Sequence, residues 1–320
     1  MFMPELPEVE TVVSDLNKKI KGDTITDFWS DWPKAIKGKS LAVFKQEIKG
    51  RKILQARRIG KNIFIDLSGR KTLYIHLKMT GHLLVKRATH PLRLSEASNP
   101  QPTTHNHFLD KVNQYIHHIW KLKDKSQKLK VAEKTMEFSD VRKFAKIVLD
   151  DTKKISELKE IKALGVDAMS PEFTLKKFEE ILENNKNKPI GIVLMDQEKI
   201  SGIGNIYRSE ILFAAGILPM RPVKSLKNPE IKKVYKAIQK ILKKAIKLRG
   251  TSDSDYRDTS GAPGNFQKTL KVYKKNGKKC RAYRLAALKR GEQPGQKCDT
   301  IIIRGKLGQR SVFFCPACQK

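Results

Sequence analysis

Met1-Phe2-Met3-Pro4-Glu5-Leu6-Pro7-Glu8-Val9-Glu10 opens the chain and runs directly into an apolar pattern. From Pro7 to Gly22, Val9, Val12, Val13, Leu16 and Ile20 recur at helical spacing, and Gly22 is a natural stop. One apolar stripe of this kind needs a partner surface, so a helix here implies a sheet or a second helix to receive it. Pro4 and Glu5 stand at its start. Were Pro4 the first residue of the mature chain, its amine, with a reference pKa of roughly 7.7 to 8, would be partly unprotonated near neutral pH. A lysine at about 10.4 would need strong desolvation to compete as a nucleophile. Glu5 beside it could move protons. The same residues also fit a stiff leader, with Glu8 and Glu10 set against the positive end of a helix. On these ten residues alone the second reading carries more weight.

Beyond Gly22 the pattern turns to β-type segments at Ile25–Trp29, Leu41–Ile48, Ile53–Arg58, Asn62–Leu67 and Thr72–Leu77. Their alternation and short turns predict an antiparallel sandwich or barrel, with the first helix packed on it and Pro4-Glu5 carried to its edge. Residues 87–104 are rich in Pro, Ser, Asn and Thr and read as a loop, and Lys111–Lys134 reads as a lysine-rich insertion, in part helical. Met136–Leu149 is extended again. The second half is helical, with clear segments at Thr174–Glu183, Ile206–Ala215 and Pro229–Leu248. In the last of these, Val234, Ile238, Ile241, Leu242 and Ala245 share one face and lysines cover the other. The expected fold class is therefore α+β in several domains: 1–150 a β-sandwich, 151–268 helical, and 269–320 a cysteine-bearing hairpin.

A length of 320 residues accommodates more than one core, and a net charge of +33 favours a polyanionic partner, because each cation that neutralises a phosphate releases a condensed counterion. A lysine-rich solvated surface would give the same number. No stretch approaches the roughly 18 apolar residues of a membrane span. The acidic, proline-containing start does not read as a secretory signal, which predicts a cytoplasmic, nucleoid-associated protein, or a nuclear one in a eukaryote. All four cysteines lie between Cys280 and Cys318. The spacing Cys298-x16-Cys315-x2-Cys318, flanked by Ile301–Ile303 and Val312–Phe314 around a turn at Gly305–Arg310, fits tetrahedral zinc held on a hairpin better than disulfides. Ser201-Gly202-Ile203-Gly204-Asn205, placed before a helix, can bring backbone amides to an anion, although a tight turn explains it as well.

Taken in order, these pieces resemble the formamidopyrimidine-DNA glycosylase and endonuclease VIII family of base-excision-repair enzymes over nearly the whole chain. Pro4-Glu5-Leu6-Pro7-Glu8-Val9-Glu10-Thr11 is similar to its amino-terminal signature, and Arg57–Lys61 to the strand bearing its lysine. His76–Gly81 and Phe138–Phe144 resemble the segments that fill the void of an everted nucleotide. Leu194–Asn205, continuing to Pro219, resembles the helix-two-turns-helix motif.

The resemblance implies a DNA glycosylase with AP lyase activity working through a Schiff base on Pro4, with Glu5 as proton shuttle and Lys61 binding phosphate or the damaged base. It implies that Met79, Arg142 and Phe144 fill the void, and that Asn205, Gly204, Arg310 and His105 contact DNA. Cys280, Cys298, Cys315 and Cys318 would hold one structural zinc ion. The void-filling set, together with Ser260–Gln267 and its Gly264, Asn265 and Phe266, points to oxidised purines. The partner is then double-stranded DNA carrying oxidised or abasic lesions, crossing a positive cleft between the halves, bound by a monomer with no membrane association.

Three departures bear on this. Residues 281–297 separate Cys280 from Cys298, a loop whose closure cost grows only slowly with length. The region 86–134 is enlarged. Met1-Phe2-Met3 precedes Pro4, whose nitrogen is an amide as written; initiation at Met3 and removal of that methionine would free it. Retention of the three residues would leave a catalytically impaired damage-binding protein. The residues also admit an endonuclease VIII-like glycosylase for oxidised pyrimidines, and the charge admits a binder of structured RNA.

Overall fold

The structure, a computed structural model, describes residues 3–87, 106–124, 134–253, 255–280 and 298–320. These form two compact units. The first comprises residues up to Lys162 together with Leu248–Asn265, and the second comprises Ala163–Lys247 with Phe266–Lys320.

In the first unit, α1 (Leu6–Lys19) buries Val9, Val12, Val13 and Leu16. Next come β1 (Thr24–Ser30), α2 (Leu41–Ile48), β2 (Ile53–Ile59), β3 (Asn62–Leu67), β4 (Lys71–His76), β5 (His82–Arg87), β6 (Ile116–Lys123), β7 (Lys134–Ser139) and β8 (Lys146–Asp151). Two four-stranded antiparallel sheets result, ordered β1-β6-β7-β5 and β2-β3-β4-β8. Their shared core holds Phe28, Trp120, Met136 and Phe138 with Ile63, Ile65, Leu73, Ile75 and Leu149, and α1 lies against β2, β3 and β5. The short α3 (Thr152–Ser156) and α4 (Lys159–Lys162) close the unit.

The second unit contains β9 (Val166–Asp167), α5 (Leu175–Glu183), α6 (Ile190–Val193), β10 (Ile200–Ser201), α7 (Asn205–Ala215) and α8 (Asn228–Lys247), then a hairpin of β11 (Ile303–Leu307) and β12 (Arg310–Phe314). No helix among the described residues is long and apolar enough to cross a membrane.

The structure corrects several expectations. Leu41–Ile48 is a helix, not a strand: Ser40 Oγ accepts the Val43 N–H, and Phe44 and Ile48, four residues apart, are both fully buried. Within the supposed insertion, Ile116–Lys123 is a strand at the centre of a sheet, paired with β1 and β7. Met136–Leu149 is two strands, interrupted at Asp140–Ala145. The loop expected at 87–104, most of the lysine-rich 125–134 segment, His105 and residues 281–297 lie outside the described residues.

Candidate active site and nucleic-acid interface

Pro4 is buried just before α1, and Glu5, 3% exposed, is the residue that caps it. A reciprocal capping box fixes this corner, with the Glu8 carboxylate accepting the Glu5 N–H at 2.8 Å. The other Glu8 oxygen accepts the Thr251 N–H at 2.7 Å, so one buried carboxylate ties the Pro4–Glu5 corner to the 248–265 loop. Farther along α1, Asp15 accepts Arg249 Nη2 at 2.5 Å and Thr259 Oγ1 at 2.9 Å. Asp258 accepts Arg249 Nε at 2.9 Å. That loop carries Gly264 and Asn265. A Cβ on Gly264 would collide with the backbone carbonyl of Gly250 and lie 2.7 Å from that of Arg249, so only glycine lets the loop close there. Asn265 is exposed, and its N–H donates to the Leu248 carbonyl at 2.9 Å.

Lys61 lies in the tight turn joining β2 to β3, after Gly60 at φ +57°, and is 7% exposed. His76 is lowered to about 3, first by withdrawal from water and then by the Lys78 and Lys61 charges. Its Nδ1 accepts the Lys78 N–H at 2.9 Å, which requires an unprotonated nitrogen there.

Met79, Arg142 and Phe144 come together. Arg142 lies 4.8 Å over the Phe144 ring and donates to Met79 Sδ at 3.4 Å, while Phe144 is 51% exposed. Two non-glycine residues in the left-handed region, Lys78 at φ +54° and Lys143 at φ +55°, adjoin this cluster. Asp140, fully buried, holds the arrangement. Its Oδ1 accepts Thr80 Oγ1 and the Arg142 N–H (3.2 Å); its Oδ2 accepts the Phe144 and Ala145 N–H groups at 2.9 and 3.0 Å.

In the second unit, Gly204 is buried as the cap of α7 and Asn205 begins it, half-buried. Gln197 braces the preceding turn by donating to the Met195 and Ile203 carbonyls at 2.8 Å and accepting the Gly202 N–H at 3.0 Å. Arg208, 1% exposed, donates to Asn205 Oδ1 and, at 2.9 Å, to the Ser311 carbonyl on β12, joining α7 to the hairpin. Arg310 is exposed beside the hairpin turn. Glu210 accepts the N–H groups of Lys271, Val272 and Tyr273 at 2.9, 3.0 and 2.9 Å. The sulfurs of Cys280, Cys298, Cys315 and Cys318 all lie within 4.8 Å of one another, a set able to hold one metal ion.

A family model for the formamidopyrimidine-DNA glycosylase N-terminal domain matches residues 3–147, and one for the H2TH domain of the same enzymes matches residues 164–256. The formamidopyrimidine-DNA glycosylase of Carboxydothermus hydrogenoformans is 35% identical over 99% of this chain and 100% of that protein. That of Pelotomaculum thermopropionicum is 36% identical over 99% of each. The Lactococcus lactis Fpg crystallised with abasic-site DNA superposes with a TM-score of 0.75 at 29% identity, covering 99% of both chains. The chain belongs to the formamidopyrimidine-DNA glycosylase family. It is accordingly a base-excision-repair DNA glycosylase of the bifunctional kind that also has AP lyase activity.

For a member of this family, the sequence-predicted residues fall into two groups, one in each unit. Pro4, Glu5, Lys61, Met79, Arg142, Phe144, Gly264 and Asn265 belong to the first, and Gly204, Asn205, Arg310, Phe266 and the cysteines to the second. Phe266 is only 1% exposed and packs its ring 5.4 Å from that of Tyr207, so its side chain serves the core. Sequence reasoning passed over Glu8, Asp140, Gln197 and Arg208 as functional supports. Only Glu8 had a readable signal, its position three residues after the helix cap.

Proposed function

We propose that this glycosylase excises oxidised purines, 8-oxoguanine and formamidopyrimidines, from duplex DNA and then cleaves the strand by β,δ-elimination, with Pro4 as nucleophile. The observation that carries the reading is the Met79–Arg142–Phe144 cluster, an exposed aromatic and guanidinium held rigidly on a buried carboxylate. A base inside a duplex must be rotated out at a cost of a few kcal/mol, and a wedge plus a hydrogen-bonding partner for the orphaned base offsets that cost. Phe144 serves as the wedge and Arg142 as the partner.

The Pro4 amine donates its electron pair to the deoxyribose C1′, and the base departs with the electrons of its glycosidic bond and takes up the proton that the proline nitrogen loses. Glu5 protonates the ring oxygen as the sugar opens, leaving a cationic iminium between Pro4 and C1′. That cation withdraws electrons, acidifies C2′ and permits loss of the 3′ and then the 5′ phosphate. Proton transfer by a positioned carboxyl of this kind is worth about 10² to 10⁴ in rate. Pro4 stands at the amino end of α1, where the helix dipole disfavours an ammonium. Lys61 binds phosphate or the lesion. Asn205, the Gly204 backbone and Arg310 hold the flanking phosphates. Gly264 and Asn265 form the end of the loop that covers the purine, by backbone rather than through the Phe266 ring.

Cys280, Cys298, Cys315 and Cys318 would hold one zinc ion, which would supply a structural crosslink behind the hairpin bearing Arg310. The Sγ–Sγ distances of 3.8 Å for Cys280–Cys318 and 3.7 Å for Cys298–Cys315 fit a tetrahedron with Zn–S near 2.3 Å, whose edge is about 3.8 Å.

The chemistry requires an unblocked Pro4 nitrogen, supplied by initiation at Met3 and removal of that residue. Borohydride added to protein of mass-verified amino terminus, with duplex containing an 8-oxoguanine or abasic site, is expected to trap a covalent complex. Trapping on neither substrate by chains beginning at Pro4 would sink the enzymatic mechanism and leave a damage-binding protein. Trapping with oxidised pyrimidines in preference to purines would overturn the lesion assignment.

A further inference from the structure

The lysine face of α8 takes no part in the chemistry above, yet it concentrates seven exposed lysines on one side of a helix. Lys232, Lys236, Lys240 and Lys244 form a row at intervals of four, with Lys233, Lys243 and Lys247 beside them, and every one is exposed. At about 100° per residue these seven fall within an arc of about 120°, and at about 1.5 Å per residue they run about 22 Å along the axis. The opposite arc is occupied by Val234, Ile238 and Leu242, all fully buried, where α8 packs against α7 and α5.

Neither helix stability nor ion pairing accounts for this face. Four pairs at i,i+4 (232/236, 236/240, 240/244, 243/247) set like charges one turn apart, which disfavours the helix. Lys232 and Lys233 also stand near its positive end, where a cation is unfavourable. The single acidic residue of α8, Glu230, is already paired with Arg221 at 2.7 Å, and no ion pair engages the seven lysines among the described residues.

We infer that this face is a second, lesion-independent binding surface for duplex DNA, separate from the helix start at Asn205. The inference rests on the proposed action on DNA. An anionic membrane fits poorly, because a basic amphipathic helix engages lipid through its apolar face and here that face is the core of the unit. An acidic protein fits poorly as well, since the patch lacks the aromatic and arginine anchors of such interfaces. A continuous phosphate line requires only a long, regular row of cations. A surface of this kind would let the enzyme hold one duplex at its active site while engaging another, and so pass between segments.

The test begins from protein trapped by borohydride on a biotinylated abasic duplex and measures capture of a second, undamaged fluorescent duplex across a salt series. Wild type is expected to capture it, with log K falling linearly with log salt. Replacing Lys232, Lys236, Lys240 and Lys244 together by Gln, a good helix former, should weaken capture at least tenfold and reduce the slope by up to about 3.6, at about 0.9 per lost phosphate contact. Trapping on the first duplex should be unchanged. The fourfold Lys→Arg variant should capture like wild type. Normal trapping without capture by wild type, equal capture by the Gln variant with its circular dichroism intact, or stronger retention on phosphatidylserine vesicles than on DNA would each overturn the second surface. Failure to trap at all would instead strike the proposed function.

Discussion

Asp140 is fully buried, yet replacing it with Asn should cripple the loop proposed to enter the DNA stack. Its two oxygens accept four hydrogen bonds: Thr80 Oγ1 and the Arg142 N–H on one, the Phe144 and Ala145 N–H groups on the other. An amide of the same shape keeps one oxygen, so two donors would face an NH₂ group in a fully buried position. At about 1.5 to 3 kcal/mol for each bond lost to a charged acceptor, the cost is about 3 to 6 kcal/mol. That is a large share of the roughly 5 to 15 kcal/mol that stabilises a typical domain. Thermal melting should fall by roughly 10 °C, at about 2 to 4 °C per kcal/mol for a unit of this size. Below that transition, Arg142 and Phe144 would no longer be held, because Lys143 keeps its φ of +55° only while the amides around it are pinned. Single-turnover excision from duplex should drop about 10- to 100-fold, equivalent to about 1.4 to 2.7 kcal/mol. Cleavage of a single-stranded abasic oligonucleotide, which has no stack to hold open, should hold near the wild-type rate. Equal losses on both substrates, or an unchanged melting temperature and duplex rate, would refute the positioning role of Asp140.

Cys280→Ser should reduce zinc content measured on purified protein from one equivalent to well below one; full occupancy would show that three cysteines suffice. Gly264→Ala places a methyl group against the Gly250 carbonyl and should displace the loop, lowering 8-oxoguanine excision several-fold more than abasic-site cleavage in parallel assays. Burial lowers His82 and His118 each to about 4, so both stay neutral in the fold while an unfolded chain protonates them near 6.5. Stability is therefore unaffected by them above pH 6.5 and declines as pH falls toward 4, by about 1.4 kcal/mol per pH unit for each once below 6.5. His118, fully buried with both ring nitrogens unpaired, can be exchanged for Phe, and the acid side of a melting-temperature profile should then flatten.

The order of elements that position the site was written locally. α1 and α8 were legible because each carries one apolar stripe at a period of 3.6, and β2, β3 and β4 because their alternation is bounded by short turns. Leu41–Ile48 was misread because a short apolar run fits either period, and the Ser40 cap was the signal that distinguished them. The Met, Arg and Phe cluster was readable only through resemblance, since three residues spread over 79–144 look like core until the chain folds them together.

What the sequence determined by itself was the chemistry on offer: a proline and glutamate at a helix start, four late cysteines, a glycine turn before α7, and an excess of positive charge. Tertiary structure alone decided which of those groups meet. It brought Cys280 to the other three sulfurs from the far side of residues 281–297, and it buried Phe266 against Tyr207. It also buried Glu8, Asp140 and Arg208, whose charges then had to find partners: backbone amides for the two carboxylates, carbonyl oxygens for the guanidinium. The reason is physical. Periodicity and caps act over one turn of chain, whereas the cost of an unpaired buried charge is set by whatever the whole fold places around it.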